Sequence, residues 1–213
     1  MAITHHPDDA TLMSFASGAL PEAHAAVVST HLVACPDCRN AVREMELIGS
    51  ALFNDLPEST LSVSRPDIAR VLGCDSELDF DLEAVSEPQD AIVRLTGHRL
   101  DDIPWKRLGW GVWHYPIKMP SARAGDLRLL KVQSGQAMPE HGHGGNELTL
   151  ILDGSYTDEF GTFAAGDIAD LDDSVEHRPI ADGTTGCICL VSSDSKVKLK
   201  GVIGRLVQPF AGI

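Results

Sequence analysis

Residues 135–154 read Gly135-Gln-Ala-Met-Pro-Glu-His141-Gly-His143-Gly-Gly-Asn-Glu147-Leu-Thr-Leu-Ile-Leu-Asp-Gly154. His141 and His143 are two apart, and on a strand that spacing turns both imidazoles to one side. Gly144-Gly145 supplies a turn, after which Glu147 returns on the neighbouring strand. His177 follows within Val175-Glu-His-Arg-Pro179. Three imidazoles and one carboxylate then converge inside a barrel, a donor set for a divalent ion. Four protein ligands in a tetrahedron suit zinc, whereas an octahedral ion with two open positions suits iron or manganese.

The surrounding sequence has the texture that such a barrel needs. Short apolar runs, punctuated by Gly, Asp and Pro, recur at Leu127–Val132, Leu148–Leu152, Ile168–Leu171 and Cys187–Val191. Regularly spaced short strands make a sandwich or a barrel. The intervals from Gly135 to Gly154 resemble the first conserved motif of the cupin superfamily. The second cupin motif is only partly met. Gly166-Asp167 precedes His177 in the usual order, but Asp172-Asp173-Ser174 stands where a Pro-x-Gly is usual. Trp105, Trp110, Trp113 and Tyr115 precede the barrel and are expected to pack in its core. Cys187 and Cys189 share a strand face and read as small buried hydrophobes.

The front of the chain has another texture. Leu12, Phe15, Ala16 and Ala19 recur at helical spacing over residues 8–20, with Pro7, Asp8 and Asp9 at the helix start. Gly18 and Pro21 break that helix. A second, Ala-rich helix is expected from Pro21 to Ala34, a third from Pro36 to about Phe53, and a short fourth from Ser64 to Gly73. His31-Leu-Val-Ala-Cys35-Pro-Asp-Cys38 lies at the second helix's end. His31 and Cys35 are four apart on one helix face, and Cys-x-x-Cys lets two thiolates reach one tetrahedral ion. A redox Cys-x-x-Cys would follow a strand in a βαβ unit, and this one follows a helix. A fourth ligand must come from His5, His6 or His24. His6 is favoured, because it lies just before the first helix and can fold back across the bundle.

Charge separates the two textures. The chain carries a formal net charge of −14, of which residues 1–85 hold −10, with four Arg and no Lys against fourteen acids. Such a segment repels phosphate backbones, which argues against a zinc-finger DNA binder, and favours a basic protein partner. It is poor in aromatics and self-repelling, so a bound zinc ion would supply folding free energy that its small core lacks. Residues 75–90 hold seven acids and no base and read as a solvated connector, with Phe80 and Leu82 alternating among them. Cys74 is isolated. The expected organisation is an all-α short-helix bundle with zinc over residues 1–74, a linker over 75–90, and an all-β cupin barrel over 91–213. No stretch reads as a secretory signal or membrane span, so the chain is expected to be cytoplasmic.

The front motif, from His6-Pro7 through Gly18-Ala-Leu-Pro-Glu-Ala23 to His31 and Cys35-Pro-Asp-Cys38, resembles the zinc-binding anti-sigma domain. Followed by a cupin, it resembles the ChrR-type anti-sigma factors along essentially the whole chain. That resemblance implies capture of an alternative sigma factor and its release under photo-oxidative, singlet-oxygen stress sensed through the cupin. It implies metal ligation by His6, His31, Cys35 and Cys38 in front, and by His141, His143, Glu147 and His177 behind. The rival expectation is a metal-dependent, dioxygenase-like enzyme with the helices serving assembly.

Overall fold

Two elements of opposite character, an Ala-rich helix and a long apolar strand, form the centre of the molecule. The computed structural model describes residues 2–57, 87–119, 125–142 and 144–194, with the backbone of 198–199. His143, the expected helix at 64–73, Cys74, Phe80 and Leu82 lie outside the described residues.

Helix α1 spans Asp9–Ala16, capped by the Asp8 side chain accepting from the Thr11 N–H. It ends at the break expected at Gly18, which takes φ 70° and turns the chain. Helix α2 spans Glu22–Ala34 and helix α3 spans Pro36–Asn54, with Pro36 at the first helical position. Helix α4 spans Pro88–Thr96. Glu87 and Asp90 cap it reciprocally, and Gly97 ends it at φ 74°. Residues 87–90 are therefore helix cap and first turn, although their acidity reads as linker.

The β-half runs β1 (Lys106–Gly109), β2 (Val112–Ile117), β3 (Asp126–Val132), β4 (His141–Gly142), β5 (Glu147–Asp158), β6 (Gly161–Ala164), β7 (Ile168–Leu171), β8 (Glu176–His177), β9 (Ile180–Ala181), β10 (Cys187–Ser193) and β11 (Lys198–Leu199). All pairings are antiparallel. One eight-stranded sheet runs β1-β2-β3-β10-β5-β6, with β7 and β9 also on β5, and a three-stranded sheet runs β11-β4-β8. Among the described residues these sheets do not join into the closed barrel that was expected. Strands β4 and β8 are two residues long, and neither pairs with a strand of the larger sheet. Gly154 lies in β5 at φ 73°, where an added Cβ would run into the Gly186 carbonyl oxygen.

Among the described residues the helices share their core with the sheet and do not enclose one of their own. Helix α2 packs on β10, β5 and β3, on α4, and on α1 and α3. An alanine-rich helix with apolar residues on more than one side suits burial between layers. Ala23, Val27 and Val28 are fully buried and share one core with Leu127, Leu129, Leu148, Leu150, Ile168 and Leu190 of the sheet. Each buried Val contributes about 1.5 kcal/mol or more to that contact. A second core, around Ile151, Tyr156, Phe163, Cys187 and Cys189, fills the sheet's other side. Trp110 is not in either core as expected. It stands exposed at the β1–β2 turn with the Arg107 guanidinium over its ring.

Candidate metal centres

The end of α2, the start of α3 and the amino-terminal segment meet at the edge of the sheet. There His6, His31, Cys35 and Cys38 bring one donor atom each to within 4.8 Å of one another. His6 Nδ1 lies 3.4 Å from Cys35 Sγ and 3.3 Å from Cys38 Sγ, and His31 Nε2 lies 3.4 Å from Cys38 Sγ. Helix geometry sets three of the four. Cys35 caps α3 and its sulfur accepts the Cys38 N–H at 3.5 Å, so both thiols sit at a helix N-terminus. The His31 Nδ1–H donates to the Gly166 carbonyl at 2.9 Å, which leaves Nε2 to face the sulfurs.

These spacings fit a tetrahedral zinc ion. Bonds of about 2.3 Å to sulfur and about 2.05 Å to nitrogen put the N and S donors roughly 3.5 Å apart. Burial, and then the Cys35 thiol beside it, pushes the Cys38 thiol up to about 12. Without a cation it stays protonated at neutral pH, and a divalent ion in the cradle would hold both sulfurs as thiolates.

The three competing histidines part company. His6 meets the sulfurs. His5 instead approaches Asp167 at 3.4 Å and lies against the Phe163 ring, centroids 4.2 Å apart. His24 is buried between α2 and β10, where its Nδ1 pairs with the Ser192 hydroxyl at 2.6 Å and its Nε2 has no partner. Burial lowers the His24 pKa, against the opposing charges of Asp194, Asp170 and Glu147.

The second cluster joins the two sheets. His141, Glu147 and His177 are all buried, with donor atoms within 4.8 Å of one another. Strands β4 and β8 place His141 opposite His177, and their Nε2 atoms lie 3.2 Å apart. Glu147 does not return on a neighbour of β4. It opens β5 in the large sheet and reaches the cluster from there. His143 lies outside the described residues.

The sequence reading missed what orients these rings. The His177 Nδ1–H donates to Asp158 Oδ2 at 2.9 Å, and the Asp158 side chain is 1% exposed. The His141 Nδ1–H donates to the Pro139 carbonyl at 2.8 Å. Both rings therefore turn Nε2 into the same space, an arrangement that a cation stabilises. Two nitrogens 3.2 Å apart, each about 2.1 Å from one ion, subtend roughly 100° there, which suits a tetrahedral or octahedral ion.

Asp167 was noted only as part of a cupin motif, yet it anchors the front segment. Burial pushes its carboxyl up, but the N–H groups of Ala164, Thr4 and His5 outweigh that and hold it below the usual range. Helix α3 holds a further feature. Beyond Met45 it leaves the core, and Leu47, Ile48, Leu52 and Phe53, with Leu56 after it, are each more than half exposed. No helix of the described residues is long and apolar enough to cross a membrane.

Residues 94–196 match the family described as the ChrR Cupin-like domain. The chain is 36% identical over 217 residues to the anti-sigma-E factor ChrR of Cereibacter sphaeroides, covering 99% of each. It also resembles a chain in the crystal structure of Rhodobacter sphaeroides SigE in complex with the anti-sigma ChrR. There the TM-score is 0.73 at 37% identity, covering 90% of this chain and 99% of that one. A match from end to end with a regulator sets aside the dioxygenase-like enzyme. The chain belongs to the ChrR family of anti-sigma factors, regulators rather than enzymes.

Proposed function

We propose that this chain binds an alternative sigma factor of the extracytoplasmic-function type and keeps it from RNA polymerase. The exposed apolar end of α3 carries this reading. Five large apolar side chains lie in the water within ten residues, in a segment of net charge −10 over residues 1–85. A patch of that kind marks a protein interface, and the acidic surround steers a basic partner to it. The named relatives supply the class of partner, since one is an anti-sigma factor and the other was crystallised with SigE.

Zinc at His6, His31, Cys35 and Cys38 fixes the α2–α3 corner from which that end projects. Those residues bind and orient; the ion supplies the cross-link. A divalent ion, zinc before iron or manganese, sits at His141, His143, Glu147 and His177 and poises the cupin. Photo-oxidative, singlet-oxygen stress then favours a conformation with weaker sigma affinity. This stress-linked part rests on the family resemblance. The work is done in the cytoplasm, where the sigma factor and polymerase are, and without direct contact to nucleic acid.

The test is co-purification of the full chain with its cognate sigma factor, followed by a sigma-dependent reporter under singlet-oxygen stress. The parent chain should form a stable complex, and Cys38→Ser should lose it. His141→Ala should keep the complex but blunt the response. Failure of the parent to form any complex removes the anti-sigma reading. A normal response in His141→Ala removes the cupin from the sensing step.

A further inference from the structure

The turn from β6 into β7 belongs to the sheet by sequence and to the front metal centre by contact. Asp167, which is 2% exposed, accepts the N–H of Ala164 within the turn at 2.9 Å. The same carboxylate accepts the N–H groups of Thr4 at 2.6 Å and His5 at 3.0 Å. The Ile168 N–H donates in turn to the His5 carbonyl at 3.2 Å, so a backbone hydrogen bond also ties this segment to the start of β7. Asp170, at the other side of β7, accepts the Asp8 N–H at 3.0 Å. His6 and Pro7 are the only residues between these anchors. The neighbouring Gly166 carbonyl holds the His31 ring, so one turn supports two of the four donors.

We propose that Asp167 is a positioning residue of the front metal centre: by clamping Thr4 and His5 to β7 it presents His6 to Cys35 and Cys38, so the cupin sheet forms part of that centre. This deepens the zinc reading above and rests on it. The clamp pre-orders the irregular segment ahead of α1, and pre-ordering a ligand raises metal affinity. Strand β7 also pairs with β5 so that Leu171 stands opposite Glu147, which puts the second cluster at the far end of the same short strand.

The probe is cobalt(II) added to the full chain, because the cobalt–thiolate band reports the front cluster alone; the donors at the second carry no sulfur. Affinity is read by competition with a chelator in the parent, Asp167→Asn, His6→Ala and the double variant. Loss of a supporting partner of this kind weakens metal binding roughly 10- to 100-fold, and that is expected for Asp167→Asn. The double variant should bind within about twofold of His6→Ala, since Asp167 acts through His6. His5→Ala keeps the backbone N–H that Asp167 accepts and loses only side-chain contacts to Asp167, Thr4 and Phe163, so it should stay within about threefold of the parent.

Parent-like affinity in Asp167→Asn, or losses that multiply in the double variant, overturns the proposal. Should Asp167→Asn fail to fold, amide exchange in the parent decides. Slow exchange at Thr4 and His5 in the zinc-loaded chain supports the clamp, and free exchange there overturns it. Absence of any thiolate band in the parent overturns the zinc reading as well, whereas the Asp167 outcomes bear on the clamp alone. No arm reads sigma binding, so failure of the anti-sigma function leaves this test intact.

Discussion

Truncating Leu52 and Phe53 together should cripple sigma binding while leaving the free chain as stable as before. Leu52 is 65% exposed and Phe53 73%, so about two-thirds of each side chain's surface is still available to a partner. Burying a whole Leu or Phe side chain is worth about 1.5–3 kcal/mol, which makes the available share about 1–2 kcal/mol each. The pair then contributes about 2–4 kcal/mol, or roughly 30- to 700-fold in Kd. Folding stability should move by no more than about 0.5 kcal/mol per site, because neither residue packs in the core and Ala favours helix. The assay is titration calorimetry of the Leu52→Ala/Phe53→Ala chain against the sigma factor, paired with thermal unfolding of each free chain. A Kd within threefold of the parent would refute docking on α3. So would a fall in unfolding temperature large enough to explain the lost binding by itself.

Other parts of the structure give sharper local expectations. Asp158→Asn removes the charge behind His177 and should weaken metal binding at the second cluster roughly 10- to 100-fold. After dialysis against a mild chelator, elemental analysis should then find one metal per chain instead of two, and two would count against the role given to Asp158. Gly154→Ala forces a Cβ against the Gly186 carbonyl at a positive φ and should cost about 2 kcal/mol or more in thermal or urea unfolding; a loss under about 0.5 kcal/mol would mean that this crossing relaxes freely. The folded-state pKa of His24 is depressed, so below its unfolded value of 6.5 the unfolded chain binds more protons than the folded one. Its contribution is therefore present above about pH 6.5 and declines as pH falls, and His24→Gln should flatten the stability profile between about pH 7 and 5. An unchanged slope would show that other groups set it.

Much of both clusters was legible because local geometry places their members. His31, Cys35 and Cys38 sit within eight residues, where helix periodicity and a cap decide the approach of the side chains. The strands at Leu127, Leu148, Ile168 and Cys187 announced themselves by short apolar runs between Gly and Asp. What the sequence could not disclose were partners brought together by the tertiary fold. His24 meets Ser192 across 168 positions, and Thr4 meets Asp167 across 163. Asp158 reaches His177 from the far end of the twelve-residue β5, and no spacing rule signals that. Composition also misled where it changed sharply. The acidic, Ala-rich front and the strand-rich rear read as separate modules, yet Val27 and Val28 pack into the same core as Leu129 and Leu190. Trp110 was expected inside on hydrophobicity alone, but its place in a two-residue turn puts it in water.

The central claim is that a metal held by the front cluster shapes the surface that grips a sigma factor. The most direct measurement is a binding isotherm between the full chain and its sigma factor, taken with zinc loaded, after zinc is stripped, and after zinc is restored. Affinity should fall by at least tenfold on stripping and return with one equivalent of zinc at the front cluster. Equal affinity in all three states would contradict the claim.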